Sequence, residues 1–187
     1  MPKNRKNSKI SLFGTLKVMT MAAMLTAMSV VIGIFCKNFL NFGAGLFRVS
    51  FESLPILLSG IMLGPIIGGV VGAATDIISY LMSGQAYPFD FVVMLGSALT
   101  GIISGVIARY IIRKKSAVRI IIPSAVAHLV GSMLVKTIGL YAYYDWAALW
   151  RIPVYCVIAP LEIAIMCLMY KNSAIKRIVD SFWEGSE

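Results

Sequence analysis

Residues 48–90 are RVSFESLPILLSGIMLGPIIGGVVGAATDIISYLMSGQAYPFD, two apolar runs joined at Gly64-Pro65. Arg48 and Glu52 open the first run, and Asp76 interrupts the second. Ionised groups at membrane depth are costly unless they face a partner or a cavity. We therefore expect a helical hairpin that contributes to a ligand site.

The composition is that of an integral membrane protein. Of the 187 residues, 59% are hydrophobic, and the mean hydropathy is +0.85. Most apolar runs approach the ~20 residues that a helix needs to cross a ~30 Å hydrocarbon core. Strands of membrane barrels instead alternate over ~10 residues. The sequence predicts an all-α, polytopic membrane protein.

Six membrane helices are predicted in a single membrane domain, residues 1–187, at 16–36, 50–63, 66–82, 91–112, 120–141 and 152–170. The first run is too long for a cleavable signal and should remain as the first helix. All but four of the 17 Lys and Arg residues lie in the N-terminal segment, the connection between predicted helices 4 and 5, and the tail. Because cytoplasmic loops are rich in Lys and Arg, both termini are predicted to be cytoplasmic, in a cell membrane of bacterial type. This clustering between apolar runs also argues against a nucleic-acid partner.

Motifs for metal binding and catalysis are absent from the sequence. Cys36, Cys156 and Cys167 have no C-x-x-C spacing, so we interpret them as packing residues. The chain has no H-E-x-x-H, G-x-S-x-G or P-loop motif. We therefore predict no enzyme, cofactor or metal site, and another protein must supply the energy for any transport.

Ionisable and aromatic side chains are predicted to meet beneath the outer surface. The candidate ligand-binding residues are Arg48, Phe51, Glu52, Asp76, Tyr80, Gln85, Tyr87, Phe89, His128, Lys136, Trp150 and Arg151. This mixture suits a flat heteroaromatic ligand with an anionic tail, since rings stack on aromatic faces and cations pair with carboxylates.

Several of these residues have a second interpretation. Arg48 and Glu52 are four residues apart and can pair with each other on a helix. Lys136 can contact the ligand or form a structural pair with Asp76 or Glu52. The predicted position of Asp76 deep in the membrane favours a structural role. Arg151 also fits a belt of residues at the membrane interface.

Trp150 fits the same belt of residues at the membrane interface. His128 and Glu162 are predicted at similar depth on helices 5 and 6, where we expect them to form a mutual polar clamp. A proton-linked or ligand-binding role for this pair is the alternative.

Helix 1 carries small residues at four-residue spacing, most clearly Ala23-x-x-x-Ala27. Such residues let helices approach closely in a membrane. This pattern predicts either internal packing or a docking face for a partner helix.

The ordered motifs resemble those of a known family, the substrate-binding S components of energy-coupling factor vitamin transporters, in particular the folate-type group. The residues that carry the resemblance are Ala23-x-x-x-Ala27, RVSFESLPI at 48–56, GxxxGPIIGGVVGAATD at 60–76, KTIGL at 136–140 and RIP at 151–153. The loop at residues 83–90, SGQAYPFD, departs from the Gly-rich, Pro-Gly-containing loop associated with folate members. A different pterin or pyrimidine ligand therefore stays open.

The resemblance implies a six-helix fold that captures a vitamin from outside, with the first loop and the helix 3–4 loop as lids. It also implies a membrane coupling subunit that grips Ala23 and Ala27, two cytoplasmic ATPases, and tipping of the S component within the membrane lipid to release substrate. Folate is the predicted ligand. The alternatives are another vitamin or precursor such as hydroxymethylpyrimidine or pantothenate, a small membrane enzyme, or a scaffold.

Roles in folate binding are assigned by side-chain chemistry. The cations Arg48, Lys136 and Arg151 are predicted to bind the glutamate tail or ring oxygens. Ring stacking is assigned to Tyr80, Tyr87, Phe89 and Trp150. Glu52 or Asp76 is predicted to accept hydrogen bonds from the amino edge of the ring.

Overall fold

The structure, a computed structural model, describes residues 16–39, 41–42, 47–48, 50–83, 89–112 and 118–184. Within these ranges the elements are α1 (Leu16–Phe39), β1 (Asn41–Phe42), β2 (Phe47–Arg48), α2 (Ser53–Leu63), α3 (Pro65–Ser83), α4 (Phe91–Val106), α5 (Val118–Ala127), α6 (Lys136–Tyr144), α7 (Arg151–Lys171) and α8 (Ser173–Glu184). A π-helical segment, Ile107–Ile111, continues α4, and a second, His128–Val135, joins α5 to α6. A 3-10 helix, Asp145–Trp150, leads into α7. The predicted all-α class is confirmed.

Five helical stretches of the described chain are long and apolar enough to cross a membrane. They are Leu16–Phe39, Pro65–Met82, Phe91–Ile111, Val118–Tyr143 and Ala148–Lys171. Helix α2 has 11 residues, which at ~1.5 Å per residue covers about half of a ~30 Å hydrocarbon core. Six spans and two cytoplasmic termini stay predictions.

The hairpin between α2 and α3 turns at Gly64. Its φ of 99° lies in the left-handed region, which glycine adopts without steric cost. Pro65 then begins α3, where the missing N–H does no harm. The turn predicted at Gly64-Pro65 is therefore present, with the proline already inside the helix.

Helix α4 lies at the centre of the bundle, in contact with α2, α3, α5, α6 and the His128–Val135 segment. Gly101 of α4 lies directly against the backbone of Gly68 in α3, so that a side chain at position 101 would collide with it. Lipid provides no hydrophobic drive for helix association, and small residues allow this close packing instead.

The largest apolar cluster of the described residues joins six α-helices, α1, α2, α3, α5, α7 and α8, at the end of the bundle where α1 begins and α7 ends. Its buried residues include Leu25, Leu57, Ile61, Val71, Met166 and Val179. Val179 belongs to α8 and is buried against the bundle. The tail beyond the last predicted helix thus forms a helix whose apolar face packs on the other helices.

The connection between the first two predicted helices, 16–36 and 50–63, is partly regular in structure. Helix α1 continues to Phe39, beyond the predicted end at residue 36. Strands β1 and β2 pair antiparallel, with Asn41 opposite Arg48 and Phe42 opposite Phe47. Pairing satisfies backbone groups in a segment too apolar to be freely hydrated.

Helix α5 also differs from the prediction. The described helix begins at Val118, before the predicted start at residue 120, and Pro123 lies inside it. Arg119, predicted in a basic loop, belongs to α5, where its Nε donates to the carbonyl oxygen of Ala108 at 2.8 Å. This bond supplies a donor at the C-terminal end of α4, where carbonyl groups lack helical partners.

Candidate ligand-binding site

A buried ion pair links α2 to α6. Lys136 Nζ lies 3.5 Å from Glu52 Oε1, and the two residues are only 4% and 8% exposed. Charged groups this deep need partners, because transfer from water into an apolar interior is costly. Of the two carboxylates predicted as partners of Lys136, the structure shows the pairing with Glu52, and contact of Lys136 with a ligand stays a prediction.

Two small residues of α1 position Glu52. Ser29 Oγ donates to the carbonyl oxygen of Glu52 at 2.5 Å. One turn further along α1, Gly33 leaves room for the other carboxylate oxygen, Oε2. The small residues at 29 and 33 therefore face inward, toward the N-terminus of α2.

Lys136 reaches Glu52 across a glycine of α4. A Cβ at Gly96 would lie 2.6 Å from Lys136 Cγ, so only glycine leaves a path for the lysine stem. The lysine follows the π-helical segment, and its backbone N–H donates to Gly131 O, five residues back. Such π-helical turns are often found at functional sites.

Asp76 lies nearby on α3 and accepts a hydrogen bond from Ser97 Oγ of α4 at 3.1 Å. Lys136, Glu52 and Lys37 are all close enough to interact with it electrostatically. Lys37, at the end of α1, also donates to the carbonyl oxygen of Ser79 at 3.2 Å. Asp76 is therefore part of the same charged group of residues, held in place by α4.

Two of the predicted aromatic residues contact each other. The rings of Tyr80 and Phe89 are 5.3 Å apart in an edge-to-face arrangement. Phe89 is 38% exposed, and the next residue, Asp90, caps α4 by accepting from the backbone N–H of Val92 at 2.6 Å. This cap fixes where the Tyr80–Phe89 pair lies relative to α4.

The remaining predicted residues are less well placed. Phe51 is half-buried beside Glu52. Trp150 is 59% exposed, which agrees with an interfacial position. Arg48 lies in β2 and Arg151 begins α7, but their side chains, together with Gln85 and Tyr87, lie outside the described residues.

A second buried pair joins the π-helical segment to α7. His128 Nε2 lies 2.6 Å from Glu162 Oε2, and both side chains are at most 1% exposed. This contact confirms the predicted polar clamp. Glu162 also interacts electrostatically with Glu52 and Lys136, so the two pairs belong to one polar interior.

Several buried polar atoms around these pairs have no hydrogen-bond partner among the described residues. They are Ser50 Oγ, Thr75 Oγ1, His128 Nδ1, Ser132 Oγ, Thr137 Oγ1 and Glu162 Oε1. Buried polar groups in proteins are nearly always hydrogen-bonded to protein or ordered water. These atoms indicate a buried region in which a polar ligand or water can supply the remaining hydrogen bonds.

Residues 17–183 match the family described as ECF transporter, substrate-specific component. The chain belongs to this family. Family membership makes it a subunit of a membrane transporter and not an enzyme. The recognition made from its motifs is thereby confirmed.

One curated protein and two solved structures are similar to this S component. It is 25% identical over 117 residues to the folate transporter FolT of Clostridium novyi (strain NT), a match that covers 61% of this chain and 64% of the relative, less than two thirds of its length. A crystal structure of FolT bound with folic acid superposes with a TM-score of 0.63 at 21% identity, covering 81% of this chain and 90% of the other. A structure of the S component of a bacterial ECF transporter gives a TM-score of 0.58 at 21% identity, covering 84% and 95%. The two structures support the fold.

Sequence reasoning missed the small polar residues of the S component. Ser29 donates a hydrogen bond to Glu52, and Ser97 donates one to Asp76. From the sequence, both serines look only like small residues that allow close helix packing. Thr75 and Thr137 directly adjoin Asp76 and Lys136 in the chain. Their position beside an intramembrane charge was the available signal.

Proposed function

We propose that this S component binds folate and delivers it to an ATP-driven uptake system of a bacterial cell membrane. The observation that carries the proposal is the Lys136–Glu52 pair, buried at 4% and 8% exposure in an interior where several polar atoms have no hydrogen-bond partner in the described part of the chain. The named folate transporters among its relatives support the choice of vitamin.

The chemistry of folate fits these side chains. A pterin ring presents an amino group and a ring N–H on one edge, and both can donate hydrogen bonds to a carboxylate such as Glu52. Lys136 can donate to a ring oxygen or a tail carboxylate, and the Tyr80–Phe89 pair offers an aromatic face. Arg48 and Arg151 are assigned to the glutamate tail.

A membrane coupling subunit and two cytoplasmic ATPases complete the proposed transporter. Ala23 and Ala27 are both exposed on α1, whereas Ser29 and Gly33 on the same helix pack internally. This exposed small-residue face supports docking of a partner helix there. Folate captured from outside would be released inward when the S component tips in the membrane.

Isothermal titration of the purified full-length protein tests the ligand. We expect folate to bind with a stoichiometry of about one, and hydroxymethylpyrimidine and pantothenate not to compete. Tight binding of either competitor in place of folate would reject folate while keeping the chain an S component. Binding of none of the three would reject the vitamin site at Lys136.

A further inference from the structure

We propose that a second site on this protein holds one acyl chain of an anionic phospholipid. An apolar cavity of about 140 Å³ lies between α1, α2, α7 and α8. Its lining includes Met28 and Ile32 of α1, Leu58 of α2, Met166 and Met169 of α7, and Val179 of α8. None of the candidate ligand-binding residues lines it, so the cavity is separate from the site at Lys136.

The walls of this cavity suit a hydrocarbon chain. Twelve residues line it, and all are apolar apart from the hydroxyl of Tyr170. An apolar cavity of this size stays dry and accepts an apolar guest. The flexible methionines Met28, Met166 and Met169 can adjust to an irregular chain. Met28 is 44% exposed at the outside of the bundle, which provides an entrance from the membrane.

Cations at one end of the cavity select the headgroup. Lys176 Nζ lies 5.9 Å from the ring centre of Tyr170, a lining residue. Lys17 Nζ lies 4.8 Å from the ring centre of Phe182, which packs on the same apolar cluster as Val179. Both lysines belong to the end of the bundle where α1 begins and α7 ends.

Helix α8 connects the apolar cavity with the cations at its end. Val179 is buried and lines the cavity, while Lys176 and Arg177 are exposed. A helix with one apolar and one basic face lies in the membrane interface, where basic residues attract anionic lipids. An acyl chain in the cavity would therefore place its phosphate beside Lys176 and Lys17.

Native mass spectrometry of the full-length, delipidated protein tests this site with added phosphatidylglycerol or phosphatidylcholine. We expect one phosphatidylglycerol to bind at least tenfold more tightly than phosphatidylcholine. Leu58→Trp fills the cavity and should lower that affinity at least tenfold, whereas Leu129→Trp, at a residue 56% exposed to lipid, should not. Met28→Trp at the entrance provides a second test if Leu58→Trp does not fold.

The charge is tested separately from the cavity. Lys176→Ala and Lys17→Ala should each weaken phosphatidylglycerol binding about fivefold, whereas Arg109→Ala, which removes the same charge beside Gly64 at the turn between α2 and α3, should leave it unchanged. Equal affinity for both lipids would overturn the proposal. Unchanged lipid binding in a folded Leu58→Trp or Met28→Trp variant, with loss of copurification of the coupling subunit, would assign the cavity to a protein helix instead.

Discussion

Gly33 of α1 leaves the space that the Glu52 carboxylate occupies. A methyl group at position 33 would lie 2.7 Å from Glu52 Oε2. The other oxygen, Oε1, lies 3.5 Å from Lys136 Nζ. The Glu52 carboxylate thus connects the packing of α1 to the candidate ligand site. A substitution at Gly33 can therefore test the site without changing any of its polar groups.

Gly33→Ala should weaken folate binding about tenfold, because the added methyl group displaces Glu52 and with it the contact to Lys136. Titration calorimetry on the purified protein measures this change. Gly69→Ala is the matched control, since a methyl group there would lie 2.7 Å from Ile102 Cγ1, as close as in the test variant, while its three nearest atoms belong to Ile102 and Ala98 and not to candidate ligand-binding residues. Equal affinities for the two variants would show that the position of Glu52 is unimportant for binding.

The Glu52–Lys136 pair can be tested for ligand contact against a purely structural role. Lys136→Met should lower folate affinity about 30-fold, equivalent to ~2 kcal/mol for a lost charge-assisted hydrogen bond. The double variant Glu52→Gln with Lys136→Met should regain thermal stability, since neither charge remains, but should not regain binding. Recovery of both properties together would make the pair structural only.

The two buried pairs show which side-chain contacts the sequence alone could predict. The similar depths of His128 and Glu162 predicted their contact, which the 2.6 Å distance confirms. For Lys136 the sequence predicted either Glu52 or Asp76 as the partner carboxylate. It could not decide between them, because depth along a helix does not fix the direction in which a side chain points. That direction depends on Gly96 and on the π-helical turn before Lys136, and the sequence pattern predicts neither.

The sequence also could not decide whether the small residues on α1 pack internally or form a docking face. Ala23 and Ala27 have the same four-residue spacing as Ser29 and Gly33. The first pair is exposed, and the second packs against Glu52. Spacing identifies a face along which a helix can approach closely, but the neighbour along that face depends on how the other helices pack.

His128→Ala should lower the free energy of unfolding by about 3 kcal/mol, because it leaves the Glu162 carboxylate buried without its ring partner. The double variant His128→Leu with Glu162→Leu should recover most of the loss, as two apolar side chains replace two polar ones. Thermal unfolding in detergent reports both, and Leu129→Ala, at an exposed neighbour, serves as the control. If the stable double variant loses folate affinity, the pair has a ligand role and is not only a clamp.

Ala23→Trp should abolish folate uptake by the assembled transporter, since a large ring on the exposed face of α1 would keep a partner helix from approaching. Binding by the isolated subunit should be unchanged, because Ala23 is exposed on α1, whereas Ser29, about 120° around the helix from it, faces inward. Ala125→Trp, the same substitution at an exposed residue of α5, is the matched control and should retain uptake. Uptake of labelled folate into proteoliposomes, with and without the ATPases, measures the effect. Normal uptake by the Ala23→Trp variant would show that the coupling subunit docks elsewhere, whereas loss in both variants would indicate a general effect of bulk on the lipid-facing surface.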